Sequence, residues 1–116
     1  MDLAELIYYC LSKKGAGESA PFVPEVLVYK VGAKVFAITG PDDYPSRINL
    51  KCDPDRAILL RDEYDAVTPG YHMNKKHWNT VVLDGSIPSD LLRELVDHSY
   101  DLVIKGMTQK ERDSLN

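Results

Sequence analysis

Between Gly70 and Asn79 the chain gathers Tyr71, His72, Met73, Asn74, Lys75, Lys76, His77 and Trp78, its densest run of side chains able to do chemistry. Lysine and histidine meet phosphates, asparagine bridges bases or backbone, and aromatic rings stack, so the run has the composition of a nucleic-acid contact. Each member also has an ordinary structural use. The single tryptophan of a small domain is as a rule packed into its core, histidines tie down loop backbone, and lysines end in solvent.

Other chemistries fit less well. His72 and His77 stand five positions apart, aligned neither on one helix face nor on one side of a strand, and His98 is the only other histidine. With Cys52 and scattered carboxylates as the remaining donors, no metal site is expected. Cys10 falls on the apolar stripe of Leu3, Leu6, Ile7 and Leu11, and Cys52 continues the apolar face of Ile48 and Leu50. Thiols so placed behave as small hydrophobes rather than nucleophiles. The pairs Asp42-Asp43 and Asp62-Glu63 read as turn and solvation chemistry, and the sequence has no glycine-rich phosphate loop, serine nucleophile elbow or zinc-protease motif. The expectation is a non-enzymatic protein with no cofactor.

The charge distribution supports a local basic surface on an acidic protein. The chain has 14 basic and 18 acidic residues, a net charge of −4. From Val26 to Lys51, however, Lys30, Lys34, Arg47 and Lys51 face only Asp42 and Asp43, and from Ala66 to Leu83 Lys75 and Lys76 face no acid. The acidic excess sits in the segments read below as helices, an asymmetry that can bind what the whole protein would repel.

The elements that must hold these residues follow from periodicity and end signals. Leu3, Leu6, Ile7, Cys10 and Leu11 mark a first helix, opened by the capping box of Asp2 and Glu5 and ended near Lys13-Lys14 and Gly15. Ser19 to Pro24 is a connector or short edge strand, since its prolines exclude helix. Glu25–Val31 and Lys34–Thr39 are strands joined by a tight turn at Gly32-Ala33, and Arg47–Cys52 is a third. In that third strand Ile48, Leu50 and Cys52 alternate with Arg47, Asn49 and Lys51, as in an antiparallel sheet covered on one side. Asp53-Pro54 opens a second helix, running to about Tyr64, with Ala57, Ile58, Leu59 and Leu60 as its apolar side. Ala66–Thr68 is at most a short strand, broken by Pro69-Gly70, and Trp78–Leu83 is a better one. Leu91, Leu92, Leu95, Val96, Leu102 and Val103 mark a long helix from about Pro88, and Thr108 with Glu111 caps a short terminal one.

This order, α-β-β-β-α-β-β-α-α, predicts a two-layer α+β domain with helices on one face of an antiparallel sheet. At 116 residues, 44% hydrophobic and 28% charged, the chain fits one domain spanning residues 1–116. No apolar run is long enough to span a membrane, no secretory leader is visible, and two cysteines suit a reducing cytoplasm.

The stretch His72-Met73-Asn74-Lys75-Lys76-His77-Trp78-Asn79-Thr80-Val81 is followed by Leu83-Asp84-Gly85-Ser86 and by Leu95-Val96-Asp97-His98-Ser99-Tyr100. In these segments the sequence resembles the MmcQ/YjbR family of small bacterial proteins, and the resemblance covers nearly the whole chain. Tyr9-Cys10-Leu11, Ile48-Asn49-Leu50-Lys51 and the helix after Asp53-Pro54 fall where that family places them. The resemblance implies a frataxin-like (CyaY-like) fold carrying a proposed double-wing DNA-binding motif, with no established enzymatic activity. The motif lands on His72, Asn74, Lys75, His77 and Trp78 and gives none of them a catalytic role. Lys76, with Arg47 and Lys51 from the basic strand, completes the expected nucleic-acid-binding set. Frataxin-like folds also raise iron binding through an acidic helix, but helix one offers only Asp2 and Glu5 and ends on Lys13-Lys14. The partner expected is double-stranded DNA, met weakly by a monomer away from any membrane. The alternative is a module for an unidentified protein or a small ligand, with no nucleic-acid role.

Overall fold

The computed structural model describes residues 1–20, 26–40, 42–70 and 73–115. The described residues form α1 (Leu3–Leu11), β1 (Ala16–Ser19), β2 (Leu27–Val31), β3 (Lys34–Thr39), β4 (Arg47–Lys51), α2 (Pro54–Glu63), β5 (Val67–Pro69), β6 (Trp78–Val82), α3 (Ser89–Lys105) and α4 (Gln109–Asp113). The strands make one sheet in the order β1-β2-β3-β4-β6-β5, with every neighbouring pair antiparallel. The fold is α+β, as the pattern of elements predicts.

Alternation in β4 sets the two sides of the sheet. Ile48 and Leu50 are buried, while Arg47, Asn49 and Lys51 on the other face are half-buried. Ile48 pairs with Val81 and Leu50 with Asn79, so β6 follows the same division and places Val82, Thr80 and Trp78 opposite Arg47, Asn49 and Lys51. Over the inner face lies α3, whose buried Leu92, Leu95, Val96, Ser99 and Val103 recur at helical spacing. Ile48 and Leu50 thus sit in one core with Leu92, Leu95 and Val96, as the alternation predicts.

A β-bulge decides how α3 docks. Tyr29 pairs with Ala37 but Lys30 pairs with Val35, so Phe36 is an extra residue in β3, and Phe36 and Ala37 are both fully buried. The Phe36 ring meets Tyr100 of α3 edge-on at 5.5 Å. Its carbonyl accepts from the buried Ser99 hydroxyl at 2.5 Å, and that hydroxyl oxygen accepts from the Lys51 N–H at 2.9 Å. One helix side chain thus serves backbone groups of two strands. At the next position, His98 Nε2 accepts from the N–H of Asp53, whose carboxylate caps α2.

Helix α1 is tied to α3 by polar contacts. Tyr9 donates to Asp97 at 2.6 Å, Lys13 pairs with Asp97 and lies over the rings of Tyr9 and Tyr100, and Tyr100 donates to the Lys14 carbonyl. The Gly32-Ala33 turn forms as expected, with Gly32 at φ 60°.

Three expectations are corrected. An edge strand forms at Ala16–Ser19, where none was expected, so among the described residues four strands precede α2 instead of three; residues 21–24 of the expected connector or edge strand lie outside the described ones. The short strand is Val67–Pro69 rather than Ala66–Thr68; it stops at Pro69-Gly70 as read, with Pro69 its last residue, since β5 is a sheet edge where a missing amide donor is tolerated. Ile58 and Leu59 are 61% and 67% exposed, because α2 turns only Ala57 and Leu60 into the core.

Two outcomes follow from these contacts. Ser99→Ala strands the Phe36 carbonyl and the Lys51 N–H, and should lower the unfolding free energy by roughly 1–3 kcal/mol per orphaned group. A loss under about 0.5 kcal/mol in a denaturant titration would refute the tie. Burial, and then Arg56, hold the His98 pKa below its ordinary value, against Glu94, Asp53 and Asp101, which raise it. The unfolded chain therefore takes up the proton first, so this contribution is present above about pH 6.5 and is lost as pH falls toward the folded value. Stability should fall more steeply from pH 7 to 5 in the natural protein than in His98→Gln; parallel profiles would contradict the assignment.

Candidate nucleic-acid interface

Among the described residues the helical layer packs on one sheet face, and the charged residues of the other face are basic. Strands β2 to β6 carry Lys30, Lys34, Arg47 and Lys51 and no acidic residue. Register places Lys30, Arg47 and Lys51 on the face away from α3, whereas Lys34 lies close enough to Glu111 to help lower its pKa. Each of α1, α2 and α3 has more acids than bases. The charge asymmetry of the sequence is therefore an asymmetry between the two layers.

The basic residues gather unevenly. Lys51 ends β4 directly opposite Trp78, and the 73–77 loop enters β6 beside them. Within the loop the Asn74 carbonyl accepts from the N–H groups of His77 and Trp78, the Asn74 side-chain oxygen accepts from Lys76 N–H at 2.9 Å, and the His77 carbonyl accepts from Cys52 N–H at 2.8 Å. Lys75 and Lys76 are exposed, His77 and Trp78 half-buried. Gly70 is required by a close approach, since a Cβ there would stand 3.1 Å from that of Trp78. His72 lies outside the described residues.

Arg47 is four residues along β4 from Lys51, about 13 Å away at strand spacing. It is 3.6 Å from the Asp43 carboxylate and lines a groove with Asn49, Thr80, Ile38, Met73 and Val82. The structure thus sets Lys51 and Trp78 side by side at one end of the face, with the 73–77 loop that carries Lys75, Lys76 and His77 leading into them, and sets Arg47 apart.

One residue that holds the loop has no signal in the sequence. Arg61 of α2 donates from Nε to the buried Asn79 Oδ1 at 2.7 Å, and from Nη2 to the carbonyls of Lys75 and Trp78. In the sequence it is simply a basic residue near a helix end.

The thiols do not offer nucleophiles. Burial pushes Cys10 up to about 12 and also raises Cys52, so both are protonated at neutral pH. Among the described residues no three His, Cys, Asp or Glu side chains converge as a metal site would require, and no helix is long and apolar enough to cross a membrane.

The YjbR family model matches residues 11–102. The chain belongs to the YjbR family. The uncharacterized protein YjbR of Escherichia coli K12 is 36% identical over 115 residues, 99% of this chain and 98% of that protein. YbdF of Escherichia coli O157:H7, also uncharacterized, is 40% identical over 92 residues, 79% of this chain and 75% of its own length. The crystal structure of a Deinococcus radiodurans protein with a DUF419 domain superposes with a TM-score of 0.91 at 42% identity, covering 98% of this chain and 87% of that one. A Pseudomonas syringae crystal structure gives 0.76 at 27% identity, covering 88% and 98%.

Removing the Arg61 clamp with Arg61→Ala leaves Asn79 Oδ1 buried without its donor and frees the loop carbonyls. Stability should drop by about 1–3 kcal/mol, and amide exchange at residues 75–78 should accelerate relative to the core strands. Unchanged exchange there would mean that Arg61 does not position the loop.

Proposed function

We propose that the protein binds double-stranded DNA through charge, using the Lys51 and Trp78 end of the open sheet face together with the Asn74 to His77 loop. The observation that supports this reading is the separation of charge between layers: strands β2 to β6 have no acid, and the helices behind them carry the negative excess. Lys51 and the exposed lysines of the loop meet phosphates, and Arg47 extends the contact along β4. Trp78, held at the rim by its pairing with Lys51, anchors the loop rather than stacking on a base. In this reading the protein performs no catalytic step and needs no cofactor.

Three or four phosphate contacts are what such a patch offers. Each contributes about −0.9 to the slope of log affinity against log salt, so binding should be weak, with a slope near −3 to −4. Lys51→Ala with Lys76→Ala should flatten the slope by roughly 2. Lys105→Ala with Lys110→Ala, equal in charge but on α3 and α4, should change it little. If the two double variants behave alike, or if a duplex titration at low salt perturbs no amide among residues 73–79, the DNA reading fails.

A further inference from the structure

The groove around Arg47 has a chemistry of its own. It lies on the open sheet face, holds about 530 Å³ and is walled on the apolar side by Ile38, Met73 and Val82. That is the size range of sites for small organic ligands, which are largely apolar with a few placed polar groups. Two donors are spare within it. The Arg47 side chain is 41% exposed and among the described residues makes no hydrogen bond: its Nε is buried without an acceptor, and Asp43 at 3.6 Å is a Coulombic neighbour beyond hydrogen-bond reach. Asn49 uses its side-chain oxygen to accept from the Thr80 hydroxyl, which turns the amide so that its NH₂ remains to donate.

A planar fork of N–H groups beside an amide donor, over an apolar floor, matches a carboxylate on an apolar body. We infer that this groove binds a small amphipathic monocarboxylate, its carboxylate received by Arg47 and Asn49 and its body laid against Ile38, Met73 and Val82. The Asp43 carboxylate, 3.6 Å from Arg47, competes for the place beside the guanidinium, and the ligand displaces it. Gly40 makes that placement possible: a Cβ on residue 40 would stand 2.5 Å from Asp43 Oδ2. The inference shares Arg47 with the DNA reading, but the test of that reading rests on Lys51 and Lys76, so the two can fail separately.

The probe is hexanoate, titrated into the labelled protein in the millimolar range and followed by amide and methyl shifts, with hexanol and inorganic phosphate as comparisons. Hexanoate should give saturable shifts at Ile38, Arg47, Asn49, Thr80 and Val82, with hexanol and phosphate each at least about tenfold weaker. Arg47→Met, which keeps the apolar stem, should weaken hexanoate by at least about tenfold. Asp43→Asn, which removes the competing charge, and Gly40→Ala, whose Cβ crowds the carboxylate from its place, should both tighten it, while Lys51→Ala with Lys76→Ala should leave it unchanged. Hexanol binding as well as hexanoate, phosphate binding as well, the absence of saturable shifts, or weaker binding in both Asp43→Asn and Gly40→Ala would each overturn the inference. The last two variants keep the test decisive if Arg47→Met does not fold.

Discussion

The buried hydroxyl of Ser99 holds the two layers in register. The β3–β4 register ends at Ala37 and Leu50, which leaves the Phe36 carbonyl and the Lys51 N–H next to it without each other, and a buried unpaired carbonyl costs on the order of a kilocalorie or more. Ser99 supplies the missing donor and uses the same oxygen to accept from Lys51 N–H at the end of β4. The side chain of residue 51 belongs to the opposite face, next to Trp78. A constraint inside the core therefore fixes where one of the main surface charges stands.

What was legible in the sequence was what short-range chemistry determines. The alternation Arg47 to Cys52 gave both faces of β4, Asp2, Asp53 and Thr108 gave three helix starts, and Gly32-Ala33 gave the hairpin. β1 escaped because Ala-Gly-Glu-Ser has no strand preference; its register against β2 is a tertiary effect overriding propensity. Helix α2 misled because four consecutive residues from Ala57 to Leu60 look like a face, yet a helix turns about 100° per residue and only Ala57 and Leu60 point inward.

The site divides along the same line. Lys51, Lys75, Lys76, His77 and Trp78 could be grouped from the sequence because most lie in one run and Lys51 lies on a strand with clear alternation. Arg61 could not, since its acceptors, Asn79 and the carbonyls of Lys75 and Trp78, lie 14 to 18 positions away. The groove was invisible for the same reason: its donors and walls come from β3, β4, β6 and the 73–77 loop, and no local pattern marks a concavity shared by non-adjacent segments.

The layered charge also determines how a polyanion would meet this protein. The molecule is 26 Å across its thinnest dimension, while the screening length is about 8 Å at physiological salt and about 30 Å at 0.01 M. A duplex approaching the basic sheet face at physiological salt would be screened from much of the acidic helical layer and would feel mainly Lys51, the loop lysines and Arg47. At 0.01 M the same duplex feels the whole net charge of −4, and long-range repulsion opposes the local attraction. Salt therefore acts twice, weakening each phosphate contact and uncovering the patch by screening the acids behind it. An acidic protein that binds DNA through a basic sheet face would then have its steepest salt dependence above the range in which the helices are screened, and a shallower one below it.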